Sequence, residues 1–378
     1  MKKILFTCFV LMIAIAGYSQ TTYYWVGGAG PVTFTGNSNW NTQLNGSGSP
    51  RAAAAATDVL VFDGTNIGGA APTTGTVTVT VTSTSLGQLK LTNNASVVFL
   101  RPTGGGGTGT MTINGNIAGD DFIIDAGASL TMNSPTADGS VVIALTATAT
   151  GNISGNISMS NTAQHRITNQ TVGGMVFNSG STFTTNLTPT SAVYPFGSSS
   201  QSVAGSVIFL AGSNIIYNGG YSPFGNNSTF SAIDIRPGSN WYHRATNAIT
   251  GFGTFTAGKA YGNISVENGA TFACDGPLYR CGNLNITAGC TFATHSSGQT
   301  AVLGDLTVNG TYTVGAGTNS LILGGTGTQT ISGTGTINAP AITVGDNSSV
   351  VLNSDLTINT SLSVFGKMNY TTKQVTGA

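Results

Sequence analysis

A short unit recurs along this chain and limits what it can fold into. A pivot residue, Gly or Asn, has apolar side chains five and three positions before it and another three positions after it. The residue directly after the pivot is small. Around Gly127 these are Phe122, Ile124, Ala128 and Leu130; around Gly212 they are Val207, Phe209, Ser213 and Ile215. Gly269 and Gly289 repeat the rule with Ile264, Val266, Ala270, Phe272 and with Leu284, Ile286, Cys290, Phe292. Gly180, Gly238, Asn94 and Asn347 head further copies, and Gly310 and Gly366 head versions one residue shorter.

Apolar residues two apart line one face of a strand. Gly and Asn tolerate positive φ, so the pivot marks a tight turn. The small residue after it suits a packed corner. Each unit therefore reads as strand, corner, strand. Gly269 to Gly289 is 20 residues, Gly289 to Gly310 is 21 and Asn347 to Gly366 is 19. Coils of this length, stacked so that each pairs its backbone with the next, make a parallel β-solenoid. Equivalent residues should stack, Thr271 over Thr291, Phe272 over Phe292, Ala270 over Cys290. The longer gaps, Gly127 to Gly180 and Gly310 to Asn347, leave room for an extra coil or an excursion loop. A string of β-sandwiches is the competing architecture, but it needs hairpin turns in place of one fixed corner.

Only 6% of residues are charged against roughly 25% in an average domain. Disorder does not follow, because 40% are apolar and they alternate. Formal net charge is zero and no basic stripe exists, which argues against a nucleic-acid partner. Residues 1–19 read as a cleaved signal peptide. Lys2 and Lys3 form the positive region, Ile4 to Ala16 the apolar one, and Gly17 and Ser19 precede the cut before Gln20. That apolar run is too short to span a bilayer, and no transmembrane segment is expected in the mature chain.

Residues 20–75 differ from the repeats. They carry Trp25, Gly27, Gly28, Asn39-Trp40, Pro50, Asp58, Val61 and Phe62. This succession resembles the opening of large exported bacterial β-helix surface proteins, autotransporter-type adhesins and type IX-secreted proteins among them. The resemblance covers about the first sixty mature residues by motif and the rest by repeat style. It implies an N-terminal β cap that seals the open end of the solenoid, with Ala52 to Ala56 as a loop within it. Residues 76–378 then form the solenoid region. Met368, Tyr370 and Val375 still alternate near the last residue, so the chain reads as truncated at the C-terminus, and no type IX sorting domain is recognisable.

Candidate chemistry is sparse. β-Helix lyases and hydrolases gather outward carboxylates on neighbouring coils. Here Asp120 and Asp121 are adjacent with Asp125 nearby, and alternation separates the first two unless they lie in a turn. Asp234 and Arg236 share one outward face and could pair. His243 falls in the column of Phe99, Met132, Tyr217 and Leu352 and is expected inward; His165 and His295 lie in or near loops. Cys274 and Cys281 flank a short loop and are expected to form a disulfide, while Cys290 reads as a small buried corner residue. No zinc spacing, no Gly-x-Ser-x-Gly elbow and no phosphate loop appears, since Gly104 to Gly107 is followed by no Lys-Ser/Thr. Thr76, Thr78, Thr80 and Thr82 alternate, but no Thr-x-Thr recurs in every coil as ice binding requires.

The expectation is an extracellular or outer-surface structural or adhesive solenoid, with no catalysis, no cofactor and no metal. Its partners would be polysaccharide or a host or neighbour cell surface, met by loops and by outward Tyr194, Tyr221 and Tyr242. The alternatives are a carbohydrate-active β-helix enzyme and, more remotely, an ice-binding protein.

Overall fold

The computed structural model describes residues 20–66, 75–101, 107–115, 117–134, 139–188, 194–225, 231–245, 262–274, 278–294, 299–314, 320–358, 361–370 and 373–377. The expected signal segment and His295 lie outside them. The chain is all-β. Its strands pair in parallel with strands one coil away, apart from an antiparallel pair in the cap, where Trp25 faces Trp40.

One sheet of fourteen strands runs from Val32–Thr33 to Lys367–Asn369 and forms one side throughout. Because its period is two, every second residue enters the lumen. One inward column passes through Val97, Leu130, Ile157, Phe183, Ile215, Trp241, Ile264, Leu284, Leu306, Ile331 and Leu352. All of these are buried. A nine-stranded sheet forms a second side from the cap to Ile233–Ile235, with Phe62, Leu91, Ile124, Ile153, Phe177, Phe209 and Ile235 inward. Phe177 and Phe209 stack at 4.3 Å between ring centroids. Beyond residue 262 a five-stranded sheet (Leu278–Cys281 to Ser361–Val364) takes the place before the long sheet in chain order. A four-stranded sheet starting at Thr271–Cys274 takes the place after it.

This exchange moves the corner. From Asn94 to Gly238 the pivot sits between the nine-stranded sheet and the long one. At Gly269 and Gly289 it sits between the long sheet and the one that follows it, and at Asn347 it returns to the preceding corner. The motif is local: two short strands and a bend satisfy it at either corner. The expected stacks of Thr271 on Thr291 and Phe272 on Phe292 form, and Tyr312 extends the aromatic one. His243 stacks on Tyr217 as expected, but its next neighbour is Val266; Leu352 belongs instead to the column of Trp241. Counted from the pivot, that column is entered three residues on at Trp241 but five on at Leu352.

Among the pivots, Asn94 and Gly127, Gly180, Gly212, Gly238, Gly269 and Gly289 have φ between 61° and 84°. Asn347 occupies the corresponding turn without a positive φ. The shorter versions need glycine for a different reason. A Cβ at Gly310 would lie 2.3 Å from the Cys290 carbonyl oxygen and 2.5 Å from that of Thr287. Here the tight coil tucks beneath the wider turn of its predecessor. Gly155 does the same under Ala128 and Asp125, and the coil it belongs to fills the Gly127–Gly180 gap. Strands Ser320–Leu323, Thr328–Ser332 and Thr336–Asn338 likewise fill Gly310–Asn347.

The cap closes the lumen with aromatic rings. Trp25, Phe34, Trp40 and Phe62 pack with centroids 5.0 to 6.4 Å apart. Trp40 donates from Nε1 to the Phe34 carbonyl (2.7 Å) and Trp25 to Gly28 (3.1 Å), so the buried indoles are satisfied. A Cβ at Gly27 would meet the Trp25 ring at 2.7 Å. Pro50 bridges to Asn41, and Arg51 and Asp58 form a buried ion pair at 2.6 Å around the Ala52–Ala56 loop.

Candidate functional site

The acidic cluster is tied into the fold. Asp120 and Asp121 lie in the bend before Phe122–Ile124. Asp120 accepts from the Thr150 hydroxyl and from Asn152 Nδ2, each at 2.9 Å. Asp121 is buried and accepts from the Thr150 backbone N–H at 2.9 Å. Burial raises its carboxyl above the ordinary value, helped by the Asp120 charge and opposed by the Thr150 hydrogen bond. Asp125 pairs with Lys90 at 3.6 Å. The three acids thus bracket successive coils, and no open dyad forms among them. Asp234 and Arg236 do pair, at 2.9 Å.

His165 and His243 are both fully buried. Burial lowers each to about 4 from the ordinary 6.5. His165 Nδ1 accepts from the Val141 N–H, and His243 Nε2 donates to the Thr271 carbonyl, both at 3.1 Å. These are neutral lumen residues.

Cys281 is a buried free thiol, which corrects the expected Cys274–Cys281 disulfide. The two residues belong to different sheets: Cys281 stacks on Val302, inward on the five-stranded sheet, while Cys274 pairs with Thr294 on the four-stranded one. Burial pushes the Cys281 thiol up to about 12. Cys290 is free and buried at its corner.

Tyr194 and Tyr221 come together edge to face at 6.2 Å, but Tyr242 lies under the Arg244 guanidinium, 5.4 Å from its ring. Thr271, Thr291, Thr311 and Thr336 make a short outward ladder. On the long sheet the equivalent column mixes Thr78, Val98, Thr131, Ser158, Thr184, Ile216 and Tyr242, so no threonine grid covers it.

One recess was not anticipated from the sequence. It is a groove of about 420 Å³ on the outside of the cap, lined by Tyr24, Gln43, Leu44, Asn45, Asp63 and Asn66. Asn41 holds the loop beneath it, donating to the carbonyls of Gly46 (3.1 Å) and Gly48 (3.0 Å) and accepting from the Gln43 N–H (2.9 Å). Asp63 accepts from Thr65 and, through both oxygens, from Asn93 at 3.0 Å. Burial raises its carboxyl, but the Thr65 and Asn93 hydrogen bonds and the Lys90 charge outweigh that and lower it overall. The signals that could have found this groove are the Asn45-Gly46 and Asp63-Gly64 pairs, both turn formers. Only the fold brings them together. Among the described residues no group of three or more His, Cys, Asp and Glu gathers to hold a metal, and no helix is long and apolar enough to cross a membrane.

No protein-family model matches the chain, and neither a curated protein nor a solved structure shows significant similarity to it.

Proposed function

We propose that this chain is an exported, surface-displayed structural or adhesive rod that catalyses no reaction. The observation that carries the reading is the long sheet itself. Over seven successive rungs its outer edge column is neutral and polar: Ser96, Ser129, Asn156, Thr182, Asn214, Asn240 and Asn263 succeed one another. Side-chain amides link the rungs, Asn240 to Asn214 and Asn263 to Asn240, each at 3.0 Å. Such a surface spends its polar groups on coil-to-coil cohesion. The acids at Asp120 and Asp121 do the same, which supports a supporting role over acid–base chemistry. The signal-like first nineteen residues support export.

The test is incubation of the chain from Gln20 with plant, algal and bacterial polysaccharides. New reducing or unsaturated ends and depletion of protein from solution are followed together. Depletion without new ends is the expected result. New ends would make the chain a carbohydrate-active enzyme and overturn the proposal.

A further inference from the structure

We infer that the groove on the N-terminal cap is a binding site for an uncharged pyranose sugar. This deepens the adhesive reading and rests on it for where such a ligand is met. At about 420 Å³ the groove falls within the roughly 300–1,000 Å³ of small-molecule sites. One part of its lining is apolar, the Tyr24 ring and Leu44, and the rest is amide and carboxylate. A pyranose is amphipathic in the same way: C–H groups cover its ring faces, hydroxyls its rim, and an aromatic ring's electron-rich face attracts polarised C–H groups.

The hydrogen-bond inventory points the same way. Asn66 Nδ2 is used, donating to the Leu44 carbonyl at 2.9 Å. Its Oδ1 is buried and has no partner, an acceptor left for a donor to meet. Gln43 Oε1 accepts from the Ser47 hydroxyl (2.6 Å), and Asn45 Oδ1 accepts from the Ser47 N–H and hydroxyl (3.0 and 2.7 Å). Their NH₂ groups are thereby left to donate. The groove therefore offers acceptors and donors side by side, which suits hydroxyls, since each hydroxyl does both. A cation is a poor fit, because the single carboxylate already takes hydrogen bonds on both oxygens. An anionic sugar is a poor fit because that carboxylate is ionised. The Asn41 hydrogen bonds fix the loop in advance, so little ordering cost remains on binding.

The test is calorimetric titration of the chain, with EDTA present, against maltose, cellobiose, lactose and chitobiose. At least one should bind, and Asn66→Leu and Tyr24→Ala should each weaken it about ten-fold or more. Gln43→Ala, at an exposed position, should weaken it too and serves if Asn66→Leu does not fold. No binding by any of the four, or unchanged binding in the variants, overturns the proposal. Binding seen only when EDTA is left out also overturns it, in favour of a cation-dependent site. Tyr24→Ala chain that still leaves solution with insoluble polysaccharide would sink the groove while leaving the adhesive reading intact. If the unaltered chain is not depleted either, the adhesive reading falls as well.

Discussion

The coils before residue 245 and those after 262 are built from the same unit, yet they differ in girth and in where they bend. In the first stack, amide pairs that bridge neighbouring coils join residues 26 to 32 positions apart, as in Asn178 to Asn152, Asn161 to Asn133 and Asn218 to Asn186. In the second, Asn285 reaches Ser265 across only 20. The wide coils fill their lumen with crowded rings, Phe177, Phe183, Phe196 and Phe209 together. The narrow ones stack a single file, Phe272, Phe292 and Tyr312, at 5.1 and 5.7 Å. Between them the long sheet never breaks: Trp241 passes directly to Ile264. The difference teaches that a solenoid can change coil length and corner position so long as one sheet keeps its register. Each coil is answerable only to its neighbours.

The strongest way to break the comparison is to empty each lumen separately. Phe177→Ala and Phe292→Ala should each cost about 3–5 kcal/mol. Hydrogen exchange should show protection lost chiefly in the stack that carries the change. Loss spread evenly through both would mean that the shared sheet makes them one cooperative unit.

Next in size is the response to acid. His165 lies in the first stack and His243 in its last coil, and both are held at about 4 in the folded chain against 6.5 when unfolded. A lowered histidine pKa means the unfolded chain binds protons first. Stability is therefore full above about pH 6.5 and is lost as pH falls toward 4, by on the order of 3 kcal/mol for each histidine. Urea unfolding across that range should show the slope, and His243→Phe should remove about half of it. A flat profile would contradict the burial of both rings.

The smallest effects separate the two kinds of corner glycine. Gly180, with φ of 84° and open space around a notional Cβ, should lose about 1–2 kcal/mol on change to alanine, from backbone strain alone. Gly310→Ala in the narrow stack meets carbonyl oxygens and should fall near the upper end of the roughly 1–3 kcal/mol of overpacking. Equal losses in thermal unfolding would mean the tucked coil relaxes.

The repeat was legible because its apolar residues and its pivots are set by neighbours within a few positions. Phe122, Ile124 and Leu130 declare two strands and a bend with no reference to the rest of the chain. Which corner the bend occupies was not legible, since Gly238 and Gly269 obey one rule while turning between different pairs of sheets. The same gap misled the pairing of Cys274 with Cys281: seven residues apart in sequence, their strands belong to different sheets. The groove was equally hidden. Tyr24, Gln43 and Asn66 come from three separate segments of the cap, and their meeting depends on how the loop held by Asn41 lies against the first strands.

The sequence by itself determined that this chain stacks short strands around an apolar lumen, because alternation with period two and turn residues at fixed offsets are local properties. That residues 20–75 form a cap came from the resemblance of their motifs, and that its lumen side is a cluster of Trp25, Trp40 and Phe62 came from the structure. Only the tertiary structure decided how many residues each coil takes and where the corner moves. It alone also decided which polar side chains meet in the cap groove, since that depends on contacts between segments that no single repeat encodes.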